Sequence, residues 1–227
     1  MKIMAYITAP SAEAKAETFA RGFVDEFLPD LLKSQPEIVR CTANIVDAGL
    51  AGGLPGERME AEHNDSGPNY EVVAEFWLQS AADHLGAIIA AITEASGSMD
   101  AYWVEEFVCK DTPEAKASTP AIRLITPCFP KPHLASPEVW SCWQEHVERA
   151  NRIHVGMNRY IRNWHRSSLT ADAPAYFGSA LLSFPTVEDY QERFYKDKDG
   201  ADEIAEDVAR FVDSFVPLFT REVRVRT

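Results

Sequence analysis

The side chains best suited to chemistry cluster in one stretch: Trp140-Ser-Cys-Trp-Gln-Glu-His-Val, then His154-Val-Gly-Met-Asn-Arg-Tyr-Ile-Arg-Asn-Trp-His165. His146 follows Val139 by seven residues, Cys142 by four and Trp143 by three. On a helix that spacing turns it toward the apolar face. A partly buried imidazole titrates near neutrality and can give or take a proton, which general acid–base catalysis requires. Tyr160 follows on a strand, where its phenol can donate a proton or hydrogen-bond a substrate oxygen. Both residues also have a plainer use, His146 as a satisfied core histidine and Tyr160 as an interior aromatic.

Strand alternation puts Asn158, Tyr160, Arg162 and Trp164 on one face and Arg159, Ile161, Asn163 and His165 on the other. Which face meets the helices is open at this level, so His146 converges with either Tyr160 or Asn163. Trp143 and Trp164 are candidate pocket walls. Asn163, Arg123 and Tyr176 are candidate substrate contacts, Arg123 for a substrate carboxylate. An exposed strand-end arginine and a packed tyrosine are the plainer accounts of the last two. His154, in the turn before the strand, reads as a surface or rim residue.

Cys142 and His146 are four residues apart on a helix, a spacing compatible with two metal ligands, but no third ligand follows at motif spacing. No metal is expected. There is no Gly-x-Gly-x-x-Gly, phosphate loop or Gly-x-Ser-x-Gly elbow. The glycine-rich Ala51–Gly56 lacks the lysine and strand-to-helix setting of a phosphate loop, and residues 47–70 read as a long polar connection.

The elements that position these residues occur twice. Residues 111–120, with two prolines and no large apolar side chain, read as a linker between a unit at 1–110 and a unit at 121–227. Each unit runs βαββαβ, the ferredoxin-like order. It opens on Ile3–Thr8 or Ile122–Thr126 and closes on Tyr102–Val108 or Phe219–Val225. A shift of 119 lays Phe23–Asn44 on Cys142–Asn163 without a gap, matching Glu26 with Glu145, Arg40 with Arg159 and Asn44 with Asn163. The same shift puts Phe27 opposite His146 and Cys41 opposite Tyr160, so the first unit keeps the scaffold without the reactive pair. Helical stripes at Val139, Trp143, Val147 and Ala150, with Ser136 as cap, and at Ile204, Val208, Phe211 and Phe215 supply the buried faces. A four-stranded sheet covered on one side must bury its other side. The expected solution is an α+β protein whose two units pack sheet-to-sheet in a barrel, with a homodimer left open.

The Trp-x-x-His on the first helix of the second unit, Arg-Tyr-x-x-Asn on its second strand, and Leu181-Leu-Ser-Phe-Pro-Thr-Val-Glu-Asp-Tyr-Gln191 together resemble the EthD-like family. The likeness covers about 105 residues of the second half, and the first half only in outline. It implies a dimeric α/β barrel and a role in aromatic degradation or polyketide tailoring, by cofactor-free dehydratases, decarboxylases or oxygenases. Related barrels also bind haem through a histidine, a role open to His146, although no Cys-x-x-Cys-His attachment motif is present.

A net charge of −13 leaves no compensating basic patch for nucleic acid. No apolar run is long enough to cross a membrane. Four scattered cysteines fit a reduced, cytoplasmic protein. The expectation is a cofactor-independent lyase, dehydratase or decarboxylase, acting on a small hydrophobic aromatic or polyketide-like molecule. His146 would be acid or base and Tyr160 the proton donor. A cofactor-free oxygenase and a non-catalytic binding barrel are the alternatives.

Overall fold

The computed structural model describes residues 1–10, 16–47, 49–50, 62–63, 69–79 and 84–227. The glycine-rich 51–56 segment and most of the 47–70 connection lie outside these residues. In the first half come β1 (Lys2–Thr8), α1 (Ala16–Gly22), a π turn (Phe23–Phe27) continuing into α2 (Leu28–Ser34), β2 (Ile38–Val46) and the two-residue β3 (Glu62–His63). There follow β4 (Val72–Leu78), α3 (Leu85–Ala95) and β5 (Ser98–Asp111). A short α4 (Pro113–Ala117) occupies the stretch read as a linker. The second half has β6 (Ile122–Pro130), α5 (Ser136–Ile153), β7 (Arg159–Ser168), β8 (Gly178–Phe184), α6 (Val187–Arg193), α7 (Lys198–Val208), β9 (Val212–Phe215) and β10 (Leu218–Arg226).

The two halves are ferredoxin-like and repeat one another strand for strand, β2-β4-β1-β5 in the first and β7-β8-β6-β10 in the second. They meet along both edges: β5 pairs with β7, and β10 pairs with β2. The eight strands therefore close a barrel, and closure removes the unpaired edges of each sheet. Facing sheets were expected from the sequence; hydrogen-bonded seams joining their edges were not, and the face-to-face picture needs that amendment. Pro217, which lacks an N–H, separates β9 from β10, and β6 pairs with both.

Alternation sorts the side chains into two environments. Ile3, Ala5, Ile7, Cys41, Ala43, Ala74 and Phe76 face the helices of the first half. Ile122, Leu124, Tyr160, Leu182 and Phe184 face those of the second. Met4, Tyr6, Val73, Tyr102, Ile125, Ile161 and Leu181 fill the barrel from both halves. Cys41 and Tyr160 thus occupy equivalent helix-facing positions, in keeping with the 119-residue register.

Helix α5 buries Val139, Trp143, His146, Ala150 and Ile153 along one side. Its N-cap is Ala135 rather than Ser136, and Glu138 closes the turn by accepting the Ala135 N–H at 2.8 Å. Helix α7 stops at Val208, earlier than the Ile204–Phe215 stripe predicts, because Val212–Phe215 is drawn into pairing with β6. Phe211 and Phe215 still reach the same apolar layer. Among the described residues, no helix is long and apolar enough to cross a membrane.

Candidate active site

Between α5, α7 and the outer face of β6, β7 and β8 lies a cavity of about 80 Å3, lined mostly by apolar groups including Leu124, Trp143, Phe177 and Phe211. The polar side chains that line it are Thr126, His146, His154, Tyr160 and Tyr195, of which Thr126 turns its hydroxyl to the Ala180 carbonyl at 3.4 Å.

His146 comes from the buried stripe of α5. Its Nδ1 lies 2.9 Å from Asp207 Oδ2 on α7, and among the described residues its Nε2 has no hydrogen-bond partner. The imidazole is therefore fixed at one nitrogen and open at the other. Arg149 donates to Asp207 Oδ1 at 2.6 Å and Arg210 at 2.9 Å. Burial raises the Asp207 carboxyl, but the hydrogen bond and charge of His146, with the two arginines, more than offset it and hold the group below its ordinary value. Asp207 stays ionised, and an ionised carboxylate at Nδ1 stabilises an imidazolium formed by proton uptake at Nε2.

His154 is buried, not at the surface as its turn position suggests. Its Nδ1 pairs with the Phe194 carbonyl at 2.7 Å. Burial, opposed by that hydrogen bond, lowers its pKa to about 4, so it is neutral at pH 7. Tyr160 is fully buried, and burial pushes its hydroxyl well above the ordinary phenol value. That hydroxyl meets no partner at hydrogen-bonding geometry, although the Trp143 indole is close enough to influence its ionisation. It remains protonated and free to donate.

Trp143 forms a wall of the cavity, edge-on to Phe177 at 5.1 Å. It rests on Gly178, where a Cβ would stand 2.5 Å from its ring and 2.7 Å from the Asn163 carbonyl. Trp164 does not line the cavity but packs behind it, 6.0 Å from Trp143 and 5.7 Å from Phe177. Arg162, on the same strand face, donates to the Trp143 carbonyl at 2.7 Å and lies over the Trp140 and Trp143 rings.

The remaining sequence candidates lie on the opposite side of the sheet. Asn163 points into the barrel and accepts from Lys2 Nζ at 2.8 Å. Arg123 is buried there rather than exposed at a strand end, with Nη1 2.9 Å from both Glu75 and Glu222. Tyr176 also faces the barrel, 4.7 Å from Phe129 ring to ring. The structure joins His146, Tyr160 and Trp143 and separates them from Asn163, Arg123 and Tyr176.

Asp207 was not singled out in the sequence because it belongs to the acidic run Asp199–Asp207. It does fall three residues after Ile204 and four before Phe211, so the buried stripe contained the signal.

Among the described residues, no three His, Cys, Asp or Glu side chains gather as a metal site, and Cys142 does not line the cavity. A haem needs several times the 80 Å3 beside His146, since even drug-sized ligands occupy roughly 300–1,000 Å3. The cavity as closed does not hold that group, and the Asp207 carboxylate, not a metal, faces the bonded nitrogen of His146.

Residues 131–214 match the EthD domain. No curated protein matches the chain by sequence. Three solved structures share the fold across nearly the whole chain. An anthrone oxidase-like protein is 7% identical with a TM-score of 0.60, over 99% of this chain and 92% of its own. A candidate DyP-type peroxidase from Shewanella oneidensis is 6% identical with a TM-score of 0.57, over 97% and 92%. A candidate monooxygenase from Lactobacillus acidophilus NCFM is 13% identical with a TM-score of 0.50, over 99% and 93%. Identities this low carry the fold, not the reaction.

Proposed function

We propose, from the premise that this chain carries an EthD domain in its C-terminal half, that it is a cofactor-independent oxygenase of small aromatic compounds bearing an acidic C–H or phenol. The observation that carries the reading is the His146–Asp207 pair, bonded at Nδ1 and open at Nε2 toward an apolar cavity. His154 lines the same cavity and, among the described residues, is likewise bonded at Nδ1 alone, but its partner is a carbonyl; His146 has an ionised carboxylate behind it.

In this reading His146 Nε2 takes the proton from an activated CH2 group, and Asp207 stabilises the imidazolium. The carbanion passes one electron to dioxygen, and the radical pair joins through a new C–O bond as a peroxide. Loss of water then leaves a carbonyl, so CH2 and O2 become C=O and H2O. Tyr160, still protonated, hydrogen-bonds the developing oxyanion. A benzene ring occupies a cavity of roughly 150 Å3, about twice the present volume, so entry of a ring requires α5 and α7 to part. Two of the proteins that share the fold are named for oxygen chemistry, an anthrone oxidase-like protein and a candidate monooxygenase, which is the reason to test this step ahead of the lyase step expected from the sequence.

The test is oxygen consumption by the purified chain with anthrones and related polycyclic phenols. One O2 per carbonyl formed is expected. His146→Phe, which copies the residue at the equivalent place in the first half, should fold and lose about 10²–10⁴-fold in rate. Product without oxygen uptake would replace the oxygenase by a lyase. Unchanged turnover in His146→Phe would remove His146 from the chemistry.

A further inference from the structure

The barrel interior is unevenly filled. One end is packed by Tyr6, Tyr70, Tyr102 and Tyr176. The other end keeps an open cavity of about 390 Å3, on the far side of the sheet from His146. Its walls come from both halves: β2, β4 and β5 on one side, α4, β6, β7 and β10 on the other.

We propose that this barrel mouth binds a small organic dianion, a dicarboxylate or a phosphate monoester. In a chain of net charge −13, six cationic side chains, Arg40, Lys116, Arg123, Arg159, Arg224 and Arg226, line the cavity against three side-chain carboxylates, Glu106, Asp111 and Glu222, and the α-carboxylate of Thr227. Lys2 and Glu75, buried and paired at 2.7 Å, reach the lining through Glu106 and Arg123 and are neutral as a pair. A cleft with an excess of one sign of charge and low-dielectric walls concentrates ligands of the other sign.

The hydrogen bonds of these cations leave donor capacity unused. Among the described residues Arg226 donates only to the carbonyls of Ile38 and Leu32, at 2.6 and 2.8 Å, and meets no carboxylate. Lys116 has only Asp111, at 3.9 Å. Arg123, 3% exposed, spends Nη1 on Asn44, Glu75 and Glu222 while its buried Nε has no partner. Ser183, opposite both Arg123 and Arg159 in the strand register, buries an unpartnered hydroxyl. Guanidinium forks match carboxylate and phosphate oxygens in pairs. The Trp77 ring carries Arg40 at 3.4 Å and Lys2 at 4.5 Å, so it serves the cations rather than a stacked ligand. The cavity volume lies within the range of small-molecule sites.

Isothermal titration of the full chain with succinate and with glycerol 3-phosphate, each against sodium chloride at equal ionic strength, tests the proposal. Saturable one-to-one binding is expected for at least one of the two, with acetate about tenfold weaker or more. Binding by succinate alone assigns a dicarboxylate; binding by glycerol 3-phosphate alone assigns a phosphate monoester. Lys116→Gln and Arg224→Gln should each weaken it about tenfold, the worth of one charge-assisted hydrogen bond. His146→Phe should leave it unchanged, because the sheet separates the two sites. Heats no larger than those of sodium chloride, or affinities unaltered in both cation variants, would overturn the proposal.

Discussion

His146 and Asp207 stand 61 residues apart in the chain and meet at 2.9 Å, Nδ1 to Oδ2, across the contact between α5 and α7. The carboxylate fixes which ring nitrogen faces the cavity, and the two arginines behind it keep it ionised.

Asp207→Asn therefore tests tautomer control separately from the histidine itself. The amide can present its NH2 to Nδ1 and turn the N–H toward the cavity, removing the base. Turnover should fall by up to about 10⁴-fold, the order found when the carboxylate that sets a catalytic histidine's tautomer becomes an amide. Steady-state rates across pH 5 to 9 check this. A rate and pH profile equal to the parent would make the pair a packing feature.

Stability should decline on acidification in two stages. His154 and His165, lowered by burial to about 4 and about 3, bind protons less readily folded than unfolded. Stability is thus lost as pH falls below the unfolded value near 6.5. Glu75 acts at lower pH. Burial raises its carboxyl, but Arg123 and Lys2 outweigh burial and bring it from 4.5 to about 2. It stabilises the fold above its unfolded pKa by about 3 kcal/mol, a contribution lost as pH falls toward 2. Thermal melts of Glu75→Gln should show lower stability than the parent at pH 7, with the gap closing toward pH 2. A constant gap would contradict this linkage.

Gly178→Ala should lower stability by about 1–3 kcal/mol, the common cost of overpacking. The added methyl meets the Trp143 ring on one side and the Asn163 carbonyl on the other, so the indole must leave its seat. Urea melts and tryptophan emission report the two effects. An unshifted midpoint with unchanged emission would mean the layer yields at no cost.

The duplication was legible in the sequence because the 119-residue shift preserves which face each strand residue takes, as Cys41 and Tyr160 show. The inward turn of His146 was legible from helical spacing. Strand parity separated Tyr160 from Asn163 but carries no information about which side meets helices. That choice follows from the handedness of each βαβ unit and from closure of the barrel. The same gap made Arg123 read as an exposed strand-end cation: its partners Glu75 and Glu222 come from β4 and β10, 48 residues before it and 99 after. Asp207 was hidden by its acidic neighbours, whose charges suggested a solvated helix face.

Barrel closure also sets an order of events during synthesis. The β10–β2 seam pairs Thr42 with Arg224 and Cys41 with Arg226, so strand β2 leaves the ribosome about 180 residues before its partner exists. At roughly 5–20 residues per second, that edge waits about 10–40 s with its backbone groups unpaired. The β5–β7 seam forms within that interval, leaving one open edge on each growing sheet. The nascent chain is most exposed to mispairing with its neighbours on the polysome during this wait, and the arrival of its last nine-residue strand ends it.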